Sequence, residues 1–329
     1  MDKNLLEEQQ ADYQCYETAG SHHDIGRLTA ERGGSSVHEE ISGVQLEYAR
    51  ACKDVVQSIY PEMVEEFRGY AEGLGMKEEE LLWHYSLGVK GGCSGIAVQT
   101  NEGMLVGRNY DFYYWENRRH LIGTRPDRGF SQIGMHEGLV GGRFDGLNER
   151  GLFVSFNAAG PHPEKKETPG MSFHLIVRYL LEKCSSASEA RDVLMELPVI
   201  EPKSYLLADA NEAYVVEVHM DHREYREMED YVIVMTNHFL HPNMKKYCPA
   251  WPNSSARYEK LTEGAEAINK ANDPQRALQD VLSDHEAPVC GHKDGLATFW
   301  SCTADLNNKE ICYSLGAPCR NDYKQYFSF

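Results

Sequence analysis

The chain has 329 residues, 41% of them hydrophobic and 26% charged, which is the make-up of a folded globular protein and excludes the disordered and low-complexity classes. Fifty-one acidic residues against 33 basic give a net charge of −18, which excludes nucleic acid or an anionic membrane as the main partner. The first residues lack an apolar stretch of signal-peptide length, no later run reaches the roughly 18 apolar residues of a membrane span, and nine scattered cysteines contain no CxxC pair, so a soluble cytoplasmic protein with reduced thiols is expected.

Residues 1 to 92 read as mostly helical, beginning with a helix through 44–59. Pro61 suits a first helical position, and Met63, Phe67, Tyr70 and Leu74 follow at three- and four-residue spacing, giving an apolar stripe that Gly73 and Gly75 end. A short helix is predicted over 78–86. At Cys93 the pattern changes to short apolar runs between turn residues, as strands require. Runs 94–99 and 104–109 are joined by Thr100-Asn101-Glu102-Gly103, a hairpin-like connection, and 151–157 reads as another strand. Helices are predicted over 172–182 and 187–197, the second opened by the capping-box pattern Ser186-Ala187-Ser188-Glu189. Strands return at 204–209, 213–219 and 231–236, helices at 255–269 and 274–282, and strands at 297–304 and 310–315. Sheets layered with helices follow from this order, and no linker or repeat calls for a second domain.

The chemistry concentrates near the change of pattern. Cys93 stands behind Gly91-Gly92 at the start of an apolar run, and Arg108 and Asp111 follow in Gly107-Arg108-Asn109-Tyr110-Asp111. A cysteine so placed is either a nucleophile or a small hydrophobe at a strand start. Asn157 and Asn237 each close an apolar run, where an amide can serve a pocket or simply end a turn. His238 is a candidate base or a structural histidine, and Arg257 lies near a helix start, where a cation opposes the helix dipole and calls for a partner. Tyr113, Trp115 and Phe144 belong to aromatic stretches that line a pocket or pack in the core. Cys290-Gly291-His292 and His22-His23 offer metal ligands, but no second pair sits at zinc-site spacing, so neither metal nor cofactor is expected. No Walker loop, strand-to-helix GxGxxG or GxSxG elbow is present.

Several stretches, taken in order, carry a likeness: Ile25-Gly26-Arg27, Glu66-Phe67-Arg68-Gly69-Tyr70, Gly92-Cys93-Ser94, Gly107-Arg108-Asn109-Tyr110-Asp111, Asn148-Glu149-Arg150-Gly151-Leu152 with Asn157, Thr236-Asn237-His238, Ser255-Ala256-Arg257-Tyr258, Ser283-Asp284-His285 and Gly316-Ala317-Pro318-Cys319. Together they resemble the N-terminal-nucleophile (Ntn) amide hydrolases of the choloylglycine hydrolase and acyl-coenzyme A:isopenicillin N acyltransferase group, nearer to the acyltransferase branch, peptidase family C45.

The resemblance implies an α+β fold: a four-layer αββα sandwich of two mainly antiparallel sheets, with a helical N-terminal precursor segment. It implies self-cleavage between Gly92 and Cys93, which would leave residues 1–92 as a precursor-derived chain and 93–329 as the catalytic chain of one structural domain. Cys93 would then be nucleophile and, through its new α-amine, base. Asp111 would hold that amine, Arg108 would lie beside the thiolate, Asn157 and Asn237 would surround the oxyanion and amine, and Arg257 would support the nucleophile. The implied partners are a small-molecule amide or acylated amino acid or peptide, with acyl-coenzyme A as a further donor and a homo-oligomer as one assembly. The 92 residues before Cys93 separate this chain from the choloylglycine branch, and Ser94 stands where the acyltransferase branch often has Thr. Two other readings stay open: a catalytically silent Ntn-fold binding protein, and an unprocessed thiol hydrolase pairing Cys93 with His238.

Overall fold

The computed structural model describes residues 13–34, 42–88, 92–113, 118–160, 168–292 and 296–329. Two sheets face one another. The larger has eight strands in the order β1 (Tyr13–Gly20), β4 (Arg119–Pro126), β5 (Gln132–Glu137), β6 (Asp145–Asn148), β7 (Phe153–Ala158), β8 (Lys203–Ala208), β9 (Ala213–Val218) and β10 (Arg223–Glu227). The smaller has five, β11 (Val232–Met235), β2 (Gly92–Thr100), β3 (Gly103–Tyr113), β12 (Leu296–Asp305) and β13 (Glu310–Ser314). All pairings are antiparallel except β1 with β4.

Helices α4 (Phe173–Lys183) and α5 (Ala187–Glu196) pack on the larger sheet, while α6 (Pro252–Lys270) and α7 (Pro274–Leu282) pack on the smaller. Strands β2 and β11 meet β7, β8 and β9 across the sandwich, giving the αββα order that the resemblance implies. No described helix is long and apolar enough to cross a membrane.

The N-terminal segment departs from the helical expectation. Before α1 (His22–Gly33), α2 (Gly43–Ile59) and α3 (Pro61–Leu74), the chain lays down β1, which adds in parallel to the edge of the larger sheet. Only Tyr16 and Thr18 of this strand are buried, and neither is an aliphatic residue, so the sequence carries too little apolar alternation to register. Strands β4 and β5 are hidden for the opposite reason. Both of their faces are covered, so they do not alternate, and the charges within them, Arg119 and Glu137, neutralise each other at 2.6 Å. Strand β10, Arg-Glu-Tyr-Arg-Glu, is a charged edge, the composition that keeps an edge strand from pairing with another molecule. The segment at 78–86 forms as the tighter 3-10 helix.

Helices α1 and α3 cross closely because two glycines let them. A Cβ on Gly26 would lie 1.9 Å from the Glu66 carbonyl oxygen, and one on Gly69 would lie 1.9 Å from that of His23. The pair is then stitched to α4 by a buried ion network. Arg178 Nη2 donates to Glu66 at 3.1 Å, Arg178 Nε donates to Glu182 at 3.0 Å, and Glu182 meets His22 Nε2 at 2.7 Å. Burial pushes the Glu182 carboxyl up, but Arg178 and His22 outweigh it and bring it down to about 2. Glu66 and His22 belong to the segment before Cys93, and Arg178 and Glu182 to the segment after it. Glu66→Ala leaves a buried guanidinium short of one partner, so a loss of about 3–5 kcal/mol is expected in urea unfolding; a loss near zero would show that the network does not hold the two segments together.

Candidate active site

Register places the site. Cys93 pairs with Tyr110, Gly95 with Arg108 and Gly92 with Asp111, so on a pleated sheet Cys93 and Arg108 share one face of the β2–β3 hairpin while Ser94 and Asp111 share the other. The face with Cys93 is turned into the sandwich toward β7. The face with Asp111 is turned toward α6, which carries Arg257.

On the inner face Arg108 Nη2 lies 3.8 Å from Cys93 Sγ and donates to the Phe156 carbonyl at 2.9 Å. Arg108 is fully buried and is neutralised by Asp145 at 2.5 Å. Asp145 also accepts from Trp300 Nε1 at 2.8 Å and from the Tyr313 hydroxyl at 2.9 Å. The guanidinium sits 5.4, 5.7 and 6.0 Å from the ring centres of Tyr110, Phe156 and Trp300, a setting that favours a cation. Asp145 is a residue that local sequence patterns do not single out, since it lies in a stretch that reads as a pocket wall. Its only signal is an acid inside an otherwise uncharged segment, Phe144 to Leu147, right after a glycine-rich run.

The backbone of Cys93 is gripped from both ends. Its N–H donates to Asn237 Oδ1 at 2.9 Å, and its carbonyl accepts from Arg257 Nη1 at 2.5 Å and Asn157 Nδ2 at 3.2 Å. Arg257 also donates to Ser94 Oγ at 3.0 Å and to Asn237 Oδ1 at 2.7 Å. Arg257 thus finds the partners its place near a helix start calls for; α6 begins at Pro252, three residues before the sequence pattern places it. Asn237 is held by Ser254 Oγ, which accepts its N–H at 2.9 Å, and by donating to the Ala158 carbonyl at 2.8 Å. Asn157 directs its amide hydrogens at the carbonyls of Cys93, Met235 and Thr236, each at 3.2 Å.

Asp111 receives the Thr298 hydroxyl at 2.6 Å, and its own N–H donates to the Cys93 sulfur. Burial pushes its carboxyl up to about 6 against the pull of Arg257 and Arg108. Burial likewise pushes the Cys93 thiol up to about 11, with Arg108 opposing. In an intact chain, therefore, the thiol is protonated at neutral pH.

The remaining candidates fall elsewhere. Phe144 is packed among Tyr110, Phe156, Phe173 and Trp300, which makes it core behind Arg108 and not an open pocket wall. His238 Nδ1 is engaged with Ser254 Oγ at 2.8 Å and Thr236 Oγ1 at 3.2 Å, and burial brings its pKa down to about 4. It has no described bond to Cys93, so the Cys–His pairing gains no support. Trp115 and the side chain of Tyr113 lie outside the described residues, as does Gly91; Gly92 is the buried first residue of β2.

Residues 98–320 match the family described as acyl-coenzyme A:6-aminopenicillanic acid acyl-transferase. The chain belongs to that family. It is accordingly an enzyme of the acyltransferase class with an Ntn-hydrolase fold. A relative described as the 40 kDa form of acyl-coenzyme A:6-aminopenicillanic-acid-acyltransferase from Emericella nidulans is 23% identical over 292 residues, covering 83% of this chain and 80% of its own. Among solved structures, a variant of conjugated bile acid hydrolase from Clostridium perfringens aligns with a TM-score of 0.51 at 14% identity, over 72% of this chain and 97% of that one. Penicillin V acylase from Agrobacterium tumefaciens aligns with a TM-score of 0.49 at 17% identity, over 70% of this chain and 84% of that one.

The buried Asp111 yields a pH signature. Its folded value of about 6 lies above the roughly 3.9 of an unfolded aspartate, so its contribution to stability is full below that unfolded value and is lost as pH rises through about 6. In the Cys93→Ala background, Asp111→Asn should therefore raise stability by about 3 kcal/mol at pH 8, with the gain vanishing below about pH 4. Denaturant unfolding across that range checks it; a gain independent of pH would contradict the burial of a charged carboxylate.

Proposed function

We propose that this family member is a self-processing cysteine amidohydrolase or acyltransferase that cuts its own Gly92–Cys93 bond and then uses Cys93 on small-molecule amides. The observation that carries the reading is the grip on the Cys93 peptide: Asn237 Oδ1 accepts from its nitrogen while Arg257 and Asn157 hold its carbonyl, with Arg108 beside the sulfur. A structural cysteine needs none of these. They are the groups that an N-terminal nucleophile needs, one acceptor for the amine and fixed donors behind it.

In processing, Cys93 Sγ attacks the Gly92 carbonyl carbon, the C–N bond breaks, and the Cys93 nitrogen takes up the thiol proton to become a primary amine. Water then hydrolyses the Gly92 thioester, freeing the thiol and a new carboxylate. The new α-amine has an ordinary pKa near 7.7–8.0, far below that of a lysine, so a usable fraction is neutral near neutral pH and can accept a proton, which the amide it replaces could not do.

In turnover, the amine takes the Cys93 proton as sulfur attacks the substrate carbonyl, and delivers it to the leaving amine as the thioester forms. Asn237 Oδ1 and the nearby Asp111 carboxylate would hold the ammonium formed in between, and Arg108 would favour the thiolate. Water completes hydrolysis, and a second amine completes acyl transfer. Acyl-coenzyme A, the donor named for the Emericella relative, would enter as a thioester giving the same acyl-enzyme.

Intact mass gives the test. Mature protein should appear as two species ending at Gly92 and starting at Cys93 in place of one of 37.3 kDa, and Cys93→Ala should stay whole and inactive. A wild-type protein that turns over N-acyl amines while remaining whole would overturn self-processing. Asn237→Ala should slow both cutting and turnover by about 100-fold or more, the scale of losing one oriented polar contact in a catalytic centre. Quenched-flow mass spectrometry, which resolves the acylated chain starting at Cys93, separates the two effects.

A further inference from the structure

We infer that His285, Cys290, His292 and Cys319 form a tetrahedral zinc site that ties the loop after α7 to the C-terminal turn beside the active site. The four ligand atoms lie within 4.8 Å of one another, the only such group among the described residues. Zn–S bonds of about 2.3 Å and Zn–N bonds of about 2.0–2.1 Å make tetrahedral edges of roughly 3.3–3.8 Å. The Cys290 and Cys319 sulfurs are 3.6 Å apart, and His292 Nε2 lies 3.3 Å from the first and 3.1 Å from the second. One face of the tetrahedron is thus already assembled at nearly the right size. The fourth corner is His285, an exposed side chain standing edge-on to His292 at 5.1 Å between ring centres and free to turn inward.

The donor set selects the ion. Two thiols and two imidazoles suit zinc, and the absence of a carboxylate among the four disfavours calcium or magnesium. Four protein ligands close the coordination shell, so the site is structural and offers no place for a substrate. Binding deprotonates both cysteines and releases two protons.

The surroundings are built to hold the ligands still. The Cys319 backbone N–H donates to the Cys290 sulfur, a bond that suits a thiolate. Cys290 N–H donates to the Asp284 carbonyl at 2.9 Å, and the Asp284 carboxylate is held by Lys260 and by the N–H groups of Glu286 and Ala287. Between the two loop ligands, Gly291 N–H donates at 2.8 Å to Thr298 Oγ1, whose hydroxyl in turn donates to Asp111. A metal here would therefore stiffen the loop that positions Asp111. The ligands come from three separate stretches, which is why no zinc spacing is visible along the chain.

Metal analysis of tag-free full-length protein, incubated with zinc and then gel-filtered, should find about one zinc per chain. Cobalt(II) should replace it, with thiolate-to-cobalt charge-transfer bands and the intense visible bands of tetrahedral geometry. Cys319→Ser and His292→Ala should each lower retained zinc at least tenfold, whereas Cys312→Ser should keep it, and stripping wild-type protein with a chelator should lower its melting temperature. Folded wild-type protein retaining under a tenth of an equivalent would overturn the inference, and so would a Cys290–Cys319 disulfide in peptide maps of freshly prepared protein. Should the variants fail to fold, the wild-type cobalt spectrum decides alone.

Discussion

The constraint on which the rest of the structure depends is that the Cys93 peptide group, and not merely its side chain, is immobilised between two sheets. Strand β11 leads into Asn237, which meets the nitrogen, β7 supplies Asn157 to the carbonyl from the opposite sheet, and α6 supplies Arg257 from the outer layer. These groups come from residues 64 to 164 positions away in sequence. Any slip of one residue in the β2–β3 register would bring Cys93 and Asp111 onto the same face of the hairpin, so the register is what separates the thiol from the carboxylate.

Burying so many charges at one place demands compensation, and each of these cations has it. Arg108 has Asp145 and three aromatic rings, Arg257 has Asn237 and two oxygens at Cys93 and Ser94, and Arg178 has Glu66 and Glu182. Asp111 is the exception. Its carboxyl has a single described hydrogen-bond donor, Thr298, and burial holds it near 6 against the pull of Arg257 and Arg108. Release of an α-amine next to it would supply a further positive group, which links the electrostatics of the intact chain to the proposed processing.

The segment before Cys93 is no detachable cap. It contributes β1 to the larger sheet, a glycine-enabled helix crossing, and the buried His22 and Glu66 that complete the Arg178–Glu182 network. Two chains made by cutting at residue 92 would thus remain one folded unit, held by backbone pairing and by the buried contacts of His22 with Glu182 and of Glu66 with Arg178.

Much of this was legible along the chain, for particular reasons. The α3 stripe, the 100–103 hairpin turn and the α6–α7 pair lie in amphipathic or turn-bounded segments, where period and punctuation carry the signal; Cys93, Arg108, Asp111, Asn157, Asn237 and Arg257 were legible only as separate strand and helix ends, joined by the family likeness. Strands β1, β4, β5 and β10 were not legible, since edge exposure, two-sided burial and internal charge pairs erase alternation. The roles of neighbours were equally hidden: Asp145 beside Arg108, Thr298 under Asp111, and Cys319 against Cys290 are contacts between strands and loops distant in sequence. The sequence by itself determined which local segments could be helices and strands and which residue types were available for chemistry, because propensity and periodicity act over a few residues. Only the tertiary structure decided which of those residues share a desolvated space, because charge pairing and oriented hydrogen bonds depend on distance in space and not on separation along the chain.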